Sequence, residues 1–130
     1  MDLKGRFPLL RFIQHPLVQH KLTLIRSHDT GKEMFRHMMA EIGLLMGYEM
    51  TRDLKVSSQI VTTPLGEYTG SCVSENKIVV IPVLRAGLGM ADGILKLIPE
   101  ASVGHIGCYR DHETKRPVEY LVSLPPTKDR

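Results

Sequence analysis

Ile78-Val79-Val80-Ile81-Pro82-Val83-Leu84-Arg85-Ala86-Gly87-Leu88-Gly89-Met90 is the stretch on which the fold turns. An uncharged run from Ile78 to Leu84, mostly β-branched or leucine, stops at one cation and gives way to alternating glycines. That order predicts a strand, a tight loop and the start of a helix. The apolar run suits a strand buried on both faces, as in a parallel sheet. Pro82 cannot donate to a sheet ladder, so regular pairing is expected to finish near Ile81. Gly87 and Gly89 let the backbone turn sharply and approach a ligand without a Cβ in the way. A helix is predicted from Leu88 to Ile98, with Leu88, Ala91, Leu95 and Ile98 near one face and Pro99 as its stop. In open α/β sheets ligands bind beyond the carboxyl ends of strands, where a helix N-terminus offers free amides to an anion. Arg85 stands at that place. The same residues also fit an ordinary turn in which Arg85 caps a neighbouring carbonyl, because two glycines one apart are a weak signal.

Downstream, Ala101 to Tyr109 is again apolar and glycine-punctuated, which completes a β-α-β unit with two parallel strands. Arg110 follows this strand as Arg85 follows the first. Two arginines at the carboxyl ends of parallel strands can converge on one polyanion, and guanidinium forks match phosphate oxygens. The mixed-charge run Arg110 to Arg116 reads as a solvated turn, with His112 a surface residue. Val118 to Leu124 reads as a returning strand before Pro125-Pro126, a projecting hairpin of the kind that grips a second subunit.

Upstream, Met1 to Arg11 is a basic, frayed arm without periodicity. Leu17, Val18, Leu22 and Ile25 recur at helical spacing from Leu17 to Arg26, with Pro16 suited to the first turn. His15 and His20 lie five apart with no carboxylate beside them, so structural roles are expected rather than metal ligation. Thr30-Gly31-Lys32-Glu33 has the spacing of a capping box opening a helix from Gly31 to about Glu49. Its apolar stripe of Phe35, Met38, Met39, Ile42, Leu45 and Met46 is expected to pack as core, the methionines filling irregular gaps. Gly43 and Gly47, four apart, point to close helix packing. Val56 to Thr63 and Tyr68 to Val73 are extended runs around turn chemistry at Pro64-Leu65-Gly66-Glu67, hence a hairpin.

The chain has 130 residues, enough for one domain that buries roughly two thirds of its unfolded surface. Seventeen basic against fourteen acidic residues give +3, too mild and dispersed for nucleic acid and better suited to a small anion. No apolar stretch approaches a membrane span and no signal-peptide pattern precedes the first charges, so a cytoplasmic, membrane-free protein is expected. Cys72 and Cys108 are too few for a zinc site or a disulfide framework and read as reduced, packed thiols. No linker, repeat or low-complexity run divides the chain, so residues 1–130 are expected to form a single domain.

The string Pro82-Val83-Leu84-Arg85-Ala86-Gly87-Leu88-Gly89-Met90, followed by Asp92-Gly93, resembles the pyrophosphate-loop segment of uracil phosphoribosyltransferases. His15-Pro16-Leu17-Val18, His20-Lys21-Leu22-Thr23, Tyr48-Glu49, Thr63-Pro64-Leu65-Gly66, Val103-Gly104-His105-Ile106-Gly107 and Tyr109-Arg110-Asp111 agree in order and spacing, so the similarity runs from about Phe12 to Arg130. The resemblance implies an α/β, type I phosphoribosyltransferase-like fold of two amino-terminal helices, a β-hairpin and a β-α-β unit, incomplete at its C-terminus. It implies transfer from 5-phosphoribosyl 1-pyrophosphate to uracil, giving UMP and pyrophosphate, with Mg2+ on the pyrophosphate. Arg85 and Arg110 would bind the phosphoribosyl donor, and the amides of Ala86, Gly87, Leu88 and Gly89 would line the pyrophosphate. A homo-oligomer is expected, and some members respond to GTP.

One departure from the family pattern is large. The family's later Asp-Pro-Met-Leu-Ala-Thr-Gly-Gly type of loop, which holds the ribose hydroxyls and 5-phosphate, has no match between Met1 and Arg130, and neither do its uracil contacts. The expectation is therefore a truncated domain, inactive by itself. Two functional classes fit: the amino-terminal portion of an enzyme, or a non-catalytic module that associates with a partner through its helices and hairpin.

Overall fold

The computed structural model describes residues 3–8, 10–73 and 78–126. The first-read arm is not wholly irregular: Leu3–Arg6 makes one helical turn (α1), and Arg11 pairs with Asp53, tying the arm to the segment after the long helix. Pro16–Ile25 forms α2. Its N-cap is His15, whose Nδ1 accepts the Leu17 N–H at 3.2 Å. Histidine here does a cap's work, satisfying a first-turn amide while Pro16 supplies a preset φ.

The long helix α3 spans Lys32–Met50 with Gly31 as its N-cap and no side-chain cap bond. This corrects the capping-box reading. Thr30 faces backward instead: its Oγ1 donates to the Leu24 carbonyl at 2.5 Å and its N–H to Ser27 O at 3.2 Å. It thereby adds a bond to the Leu24 carbonyl at the end of α2, which also accepts from the N–H groups of Arg26 and Ser27. Helix α2 is fastened to α3 by Lys21, which bonds to Glu41, and by burial of Val18 and Ile42.

Val56–Thr63 (β1) and Gly66–Val73 (β2) pair in antiparallel register from Val56↔Val73 to Thr63↔Gly66, as the hairpin reading expects. Gly66 turns the chain at φ +130°, a value that excludes a side chain without strain. The hairpin forms its own two-stranded sheet. Its apolar residues are in the open, Ile60 at 66% and Tyr68 at 61% exposure.

The deciding stretch forms two short strands, Val79–Val80 (β3) and Val83–Leu84 (β4), then the helix Leu88–Leu97 (α4). Ser102–Val103 (β5) pairs parallel with β3, and His105–Arg110 (β6) pairs parallel with β4. One register runs through both pairs, Val80↔Val103 and Val83↔Ile106 among them, so this is a single parallel pairing with an interruption. Pro82 is its cause. The carbonyls of Ile78, Val80 and Pro82 accept from Ser102, Gly104 and Ile106 at 3.0, 3.0 and 3.2 Å. A regular parallel ladder would have residue 82 return an N–H to the carbonyl of Gly104, and proline has none. Pairing therefore resumes beyond Pro82 instead of finishing at Ile81.

Pro117–Ser123 (β7) returns antiparallel to β6, giving the order β4-β6-β7. A bulge falls where Gly107 faces Leu121 and Cys108 faces Glu119, leaving Tyr120 as the extra residue. A Cβ on Gly107 would come within 2.6 Å of the Tyr120 ring, so glycine makes the room that the bulge uses.

Helix α4 packs on β3 and on α3, and α3 packs on α2. The contact between α3 and α4 is backbone against backbone: a Cβ on Gly93 would lie 1.8 Å from Ala40 O, and one on Gly43 would lie 2.2 Å from Met90 O. Close packing at Gly43 and Gly47 is thus confirmed. Burial on both faces of the central run is not. Val80 is 8% exposed beneath α4, whereas Val83 is 51% exposed, because among the described residues only one face of the sheet is covered by helices.

Candidate functional site

Three residues, Arg85, Ala86 and Gly87, separate strand from helix: β4 ends at Leu84, and α4 begins at Leu88. The Leu84–Arg85 peptide bond is cis. Gly87 N–H donates to Val83 O at 2.8 Å and Leu88 N–H to Arg85 O at 3.2 Å, which closes the loop into a compact turn. Those two amides are spent internally. The N–H groups of Ala86 and Gly89 are among those here with no backbone acceptor among the described residues, and so are open donors. They add to the partial positive charge at the start of a ten-residue helix.

The two glycines divide the labour that sequence reading gave to both. A Cβ on Gly87 would come within 2.8 Å of Val83 N and 3.1 Å of Pro82 Cα, so Gly87 is required by the loop's own strand. A Cβ on Gly89 would meet Met39 Cβ at 3.6 Å, an ordinary contact.

Arg85 follows β4 directly and is exposed. Arg110 is the last residue of β6, opposite Pro117 in β7, and is exposed as well. Since Leu84 pairs with Gly107, Arg110 stands about 7 Å farther along the strand direction than Arg85. Neither guanidinium is engaged in an ion pair among the described residues, so both positive charges are uncompensated at the same end of adjoining strands.

The turn after Arg110 is locally fixed. Asp111 Oδ1 accepts from Thr114 N–H at 2.7 Å, Thr114 Oγ1 at 2.8 Å and Glu113 N–H at 3.1 Å, and these bonds hold its carboxyl below the usual carboxylate range. Asp111 N–H and Arg116 O close the turn at 3.0 Å, and Lys115 takes a left-handed φ of 57°. His112 is exposed, as expected. The carboxylate of Asp111 is therefore committed to the turn. Among the described residues no group of three His, Cys, Asp or Glu side chains could hold a metal ion.

A mixed groove of about 410 Å³ lies elsewhere, between residues 12–15 and the end of α3, lined in part by Phe12, His15, Tyr48, Glu49 and Arg52. Its cation is already taken: Arg52 forks onto Glu49 at 3.1 and 2.7 Å and holds that carboxyl below its ordinary range. The groove offers an anion far less than the strand ends do.

Sequence reading missed two features of the site's support. The Lys21–Glu41 bond joins residues 20 apart, and the Gly43–Met90 and Met39–Gly89 contacts join α3 to the first turn of α4. The glycine spacing in α3 signalled close packing; nothing local named its partner.

Comparison with known proteins agrees with this architecture. The family model described as uracil phosphoribosyltransferase matches residues 12–130. A uracil phosphoribosyltransferase of Ralstonia pickettii (strain 12J) is 53% identical over 130 residues, covering 100% of this chain and 60% of that protein. One from Lactobacillus gasseri is 53% identical over 122 residues, covering 94% of this chain and 57% of its own length. Among solved structures, the AQ2163 protein from Aquifex aeolicus superposes with a TM-score of 0.84 at 35% identity, over 88% of this chain and 55% of that one. The chain thus spans about three fifths of the length of the curated relatives it matches. A family pattern that holds from residue 12 to the last, on a fold shared with a solved relative, places these 130 residues in the uracil phosphoribosyltransferase family.

Proposed function

We propose that this chain carries the phosphoribosyl-donor part of a uracil phosphoribosyltransferase site, serving the reaction of uracil with 5-phosphoribosyl 1-pyrophosphate to UMP and pyrophosphate in pyrimidine salvage. The observation that carries this reading is the turn at 85–89, where Arg85 and the open amides of Ala86 and Gly89 meet a helix start at the carboxyl end of a parallel sheet. As the bond from the ribose to pyrophosphate breaks, negative charge gathers on the departing oxygens and the ribose gains oxocarbenium character. Donors already fixed on those oxygens stabilise that state more than the ground state. Arg85 and the amides of Ala86 and Gly89 act on the pyrophosphate, and Arg110 adds a second fork from the neighbouring strand. Magnesium, bound with the pyrophosphate, would neutralise part of its charge.

The ribose and the base need groups these 130 residues do not contain, so donor binding is expected without turnover. Orientation of two reactants is worth about 7–11 kcal/mol, and two arginines do not supply it. Calorimetric titration with magnesium phosphoribosyl pyrophosphate tests the reading. The native chain should bind, and Arg85→Gln and Arg110→Gln should each weaken binding about 10- to 100-fold, the worth of a charged hydrogen bond. Affinity unchanged in both variants would remove the assignment. A radiolabelled-uracil assay on the same sample should yield no UMP.

A second property is favoured by the surface. The β1–β2 hairpin and the uncovered sheet face present apolar side chains to solvent, which fits association with further copies of the chain, and a cytoplasmic setting fits the absence, among the described residues, of any helix long and apolar enough to cross a membrane. GTP regulation is part of the same proposal by family likeness, and a thermal shift with GTP tests it.

A further inference from the structure

We infer that Met39 and Gly43 are positioning residues for the 85–89 loop, acting from a helix that does not itself belong to the proposed site. The inference rests on the donor-binding reading for its functional consequence and on packing for its mechanism. Met39 and Gly43 are four apart, so they lie on one face of α3, one turn above the other. Met39 Cβ sits 3.6 Å from where Gly89 would carry a Cβ, and Gly43 lies so close to Met90 that a Cβ would fall 2.2 Å from its carbonyl oxygen and 2.9 Å from its Cα. Gly89 and Met90 are the second and third residues of α4. The first turn of α4 therefore rests directly on this face of α3.

The direction of the effect follows from what each neighbour is made of. At Gly47 an added methyl would meet only side chains, Ile94 at 3.3 Å and Leu97 at 3.6 Å, which can rotate away. At Gly43 it would meet backbone, which cannot. Alanine at 43 must lift the first turn of α4, and with it Gly89, whose N–H is one of the loop's open donors. Gly87 and Leu88 would move too, straining the bonds from their amides to Val83 O and Arg85 O. A shift of that kind changes where the amides point while leaving the loop's sequence intact, and misplacement by about 1 Å can cost on the order of 100-fold in a positioned reaction.

The test compares native chain, Gly43→Ala, Met39→Ile, which adds a branch at the carbon nearest Gly89, and Val18→Ala, a core change on α2 that destabilises without touching α4. Amide hydrogen exchange is read at Gly87 and Leu88 and, for reference, at Gly107 and Cys108 of β6. Affinity for magnesium pyrophosphate is measured by calorimetry on the same samples. Gly43→Ala should speed exchange at Gly87 and Leu88 selectively and weaken pyrophosphate binding about tenfold or more, with Met39→Ile following in the same direction by about threefold. Val18→Ala should speed exchange in loop and strand alike and keep affinity within about twofold of native, as expected of a change distant from the site. Loop amides as protected in folded Gly43→Ala and Met39→Ile as in native would overturn the inference, and so would an equal, loop-selective effect of Val18→Ala. If Gly43→Ala does not fold, Met39→Ile decides. If the native chain does not bind pyrophosphate, the donor-site reading fails, while the exchange comparison still decides whether α3 positions the loop.

Discussion

Glu41 joins two helices through one carboxylate: it accepts a bond from Lys21 on α2 and lies 3.2 Å from His37 Nε2 on its own helix. The Lys21 bond, opposed by partial desolvation and helped by the positive charges of Lys21 and His37, holds the Glu41 carboxyl below its ordinary 4.5. A carboxyl whose folded-state pKa is depressed adds stability that is full above the unfolded value and is lost as pH falls through the folded one. Glu41 should therefore help hold α2 at neutral pH and release it below about pH 4.5. Urea midpoints at pH 7 and pH 3 should differ less in Lys21→Met than in the native chain. An equal acid loss in both would show that the pair does not couple α2 to α3. At the same scale Gly87 is the residue the loop cannot exchange. Gly87→Ala must displace the backbone of Pro82 or Val83, and should cost about 1–3 kcal/mol in urea unfolding, the usual range for overpacking.

The α3–α4 pair is the element on which the site stands. Its crossing is set by Gly93 against Ala40 and Leu44, where an added Cβ would meet backbone at 1.8, 2.7 and 2.9 Å. Gly93→Ala should cost about 3 kcal/mol or more, at or beyond the upper end of overpacking, because two backbones have to separate. Gly47→Ala should stay within about 1 kcal/mol of native, since alanine's better helix propensity offsets a contact that Ile94 can relieve. Equal losses in the two variants would contradict the crossing described. Helix existence was legible from period alone: α3 and α4 each end within a residue of where the stripe and Pro99 place them. The hairpin was legible from β-branched runs around Pro64-Leu65-Gly66. Thr30 was not, because a hydroxyl three residues before a glutamate looks the same whether it caps forward or closes backward, and only the position of Leu24 O decides. Pro82 announced a break in the ladder, but not that pairing resumes beyond it, since the register depends on the partner strand.

Across the whole molecule the balance of buried and open surface is unusual. A self-contained monomer of this mass would expose about 6,900 Å² and an extended chain about 21,000 Å². The folded chain exposes 10686 Å², so it buries about half of its surface rather than the two thirds its length suggests. Among the described residues the buried hydrophobic core is Val18, Ile42, Val80 and Ala91, each still 3–8% exposed. The excess over a self-contained monomer is about 3,800 Å². Light scattering should accordingly show assemblies above monomer mass; a stable monomer at high concentration would contradict this. Sequence periodicity could not reveal the open face, because apolar runs read alike whether or not anything covers them. What sequence did place was the strand, Arg85 and the helix start; which amides remain open depended on bonds only the folded loop makes.

The central claim is that the turn at 85–89 receives the pyrophosphate of the donor. Its most direct test is an amide-resolved NMR titration of the native chain with magnesium pyrophosphate. The account predicts the largest shifts at Ala86 and Gly89, whose N–H groups are open, with smaller ones at Gly87 and Leu88 and a response at the Arg85 and Arg110 side chains. Shifts centred on the Phe12, Tyr48 and Arg52 groove, with residues 85–89 unmoved, would contradict it.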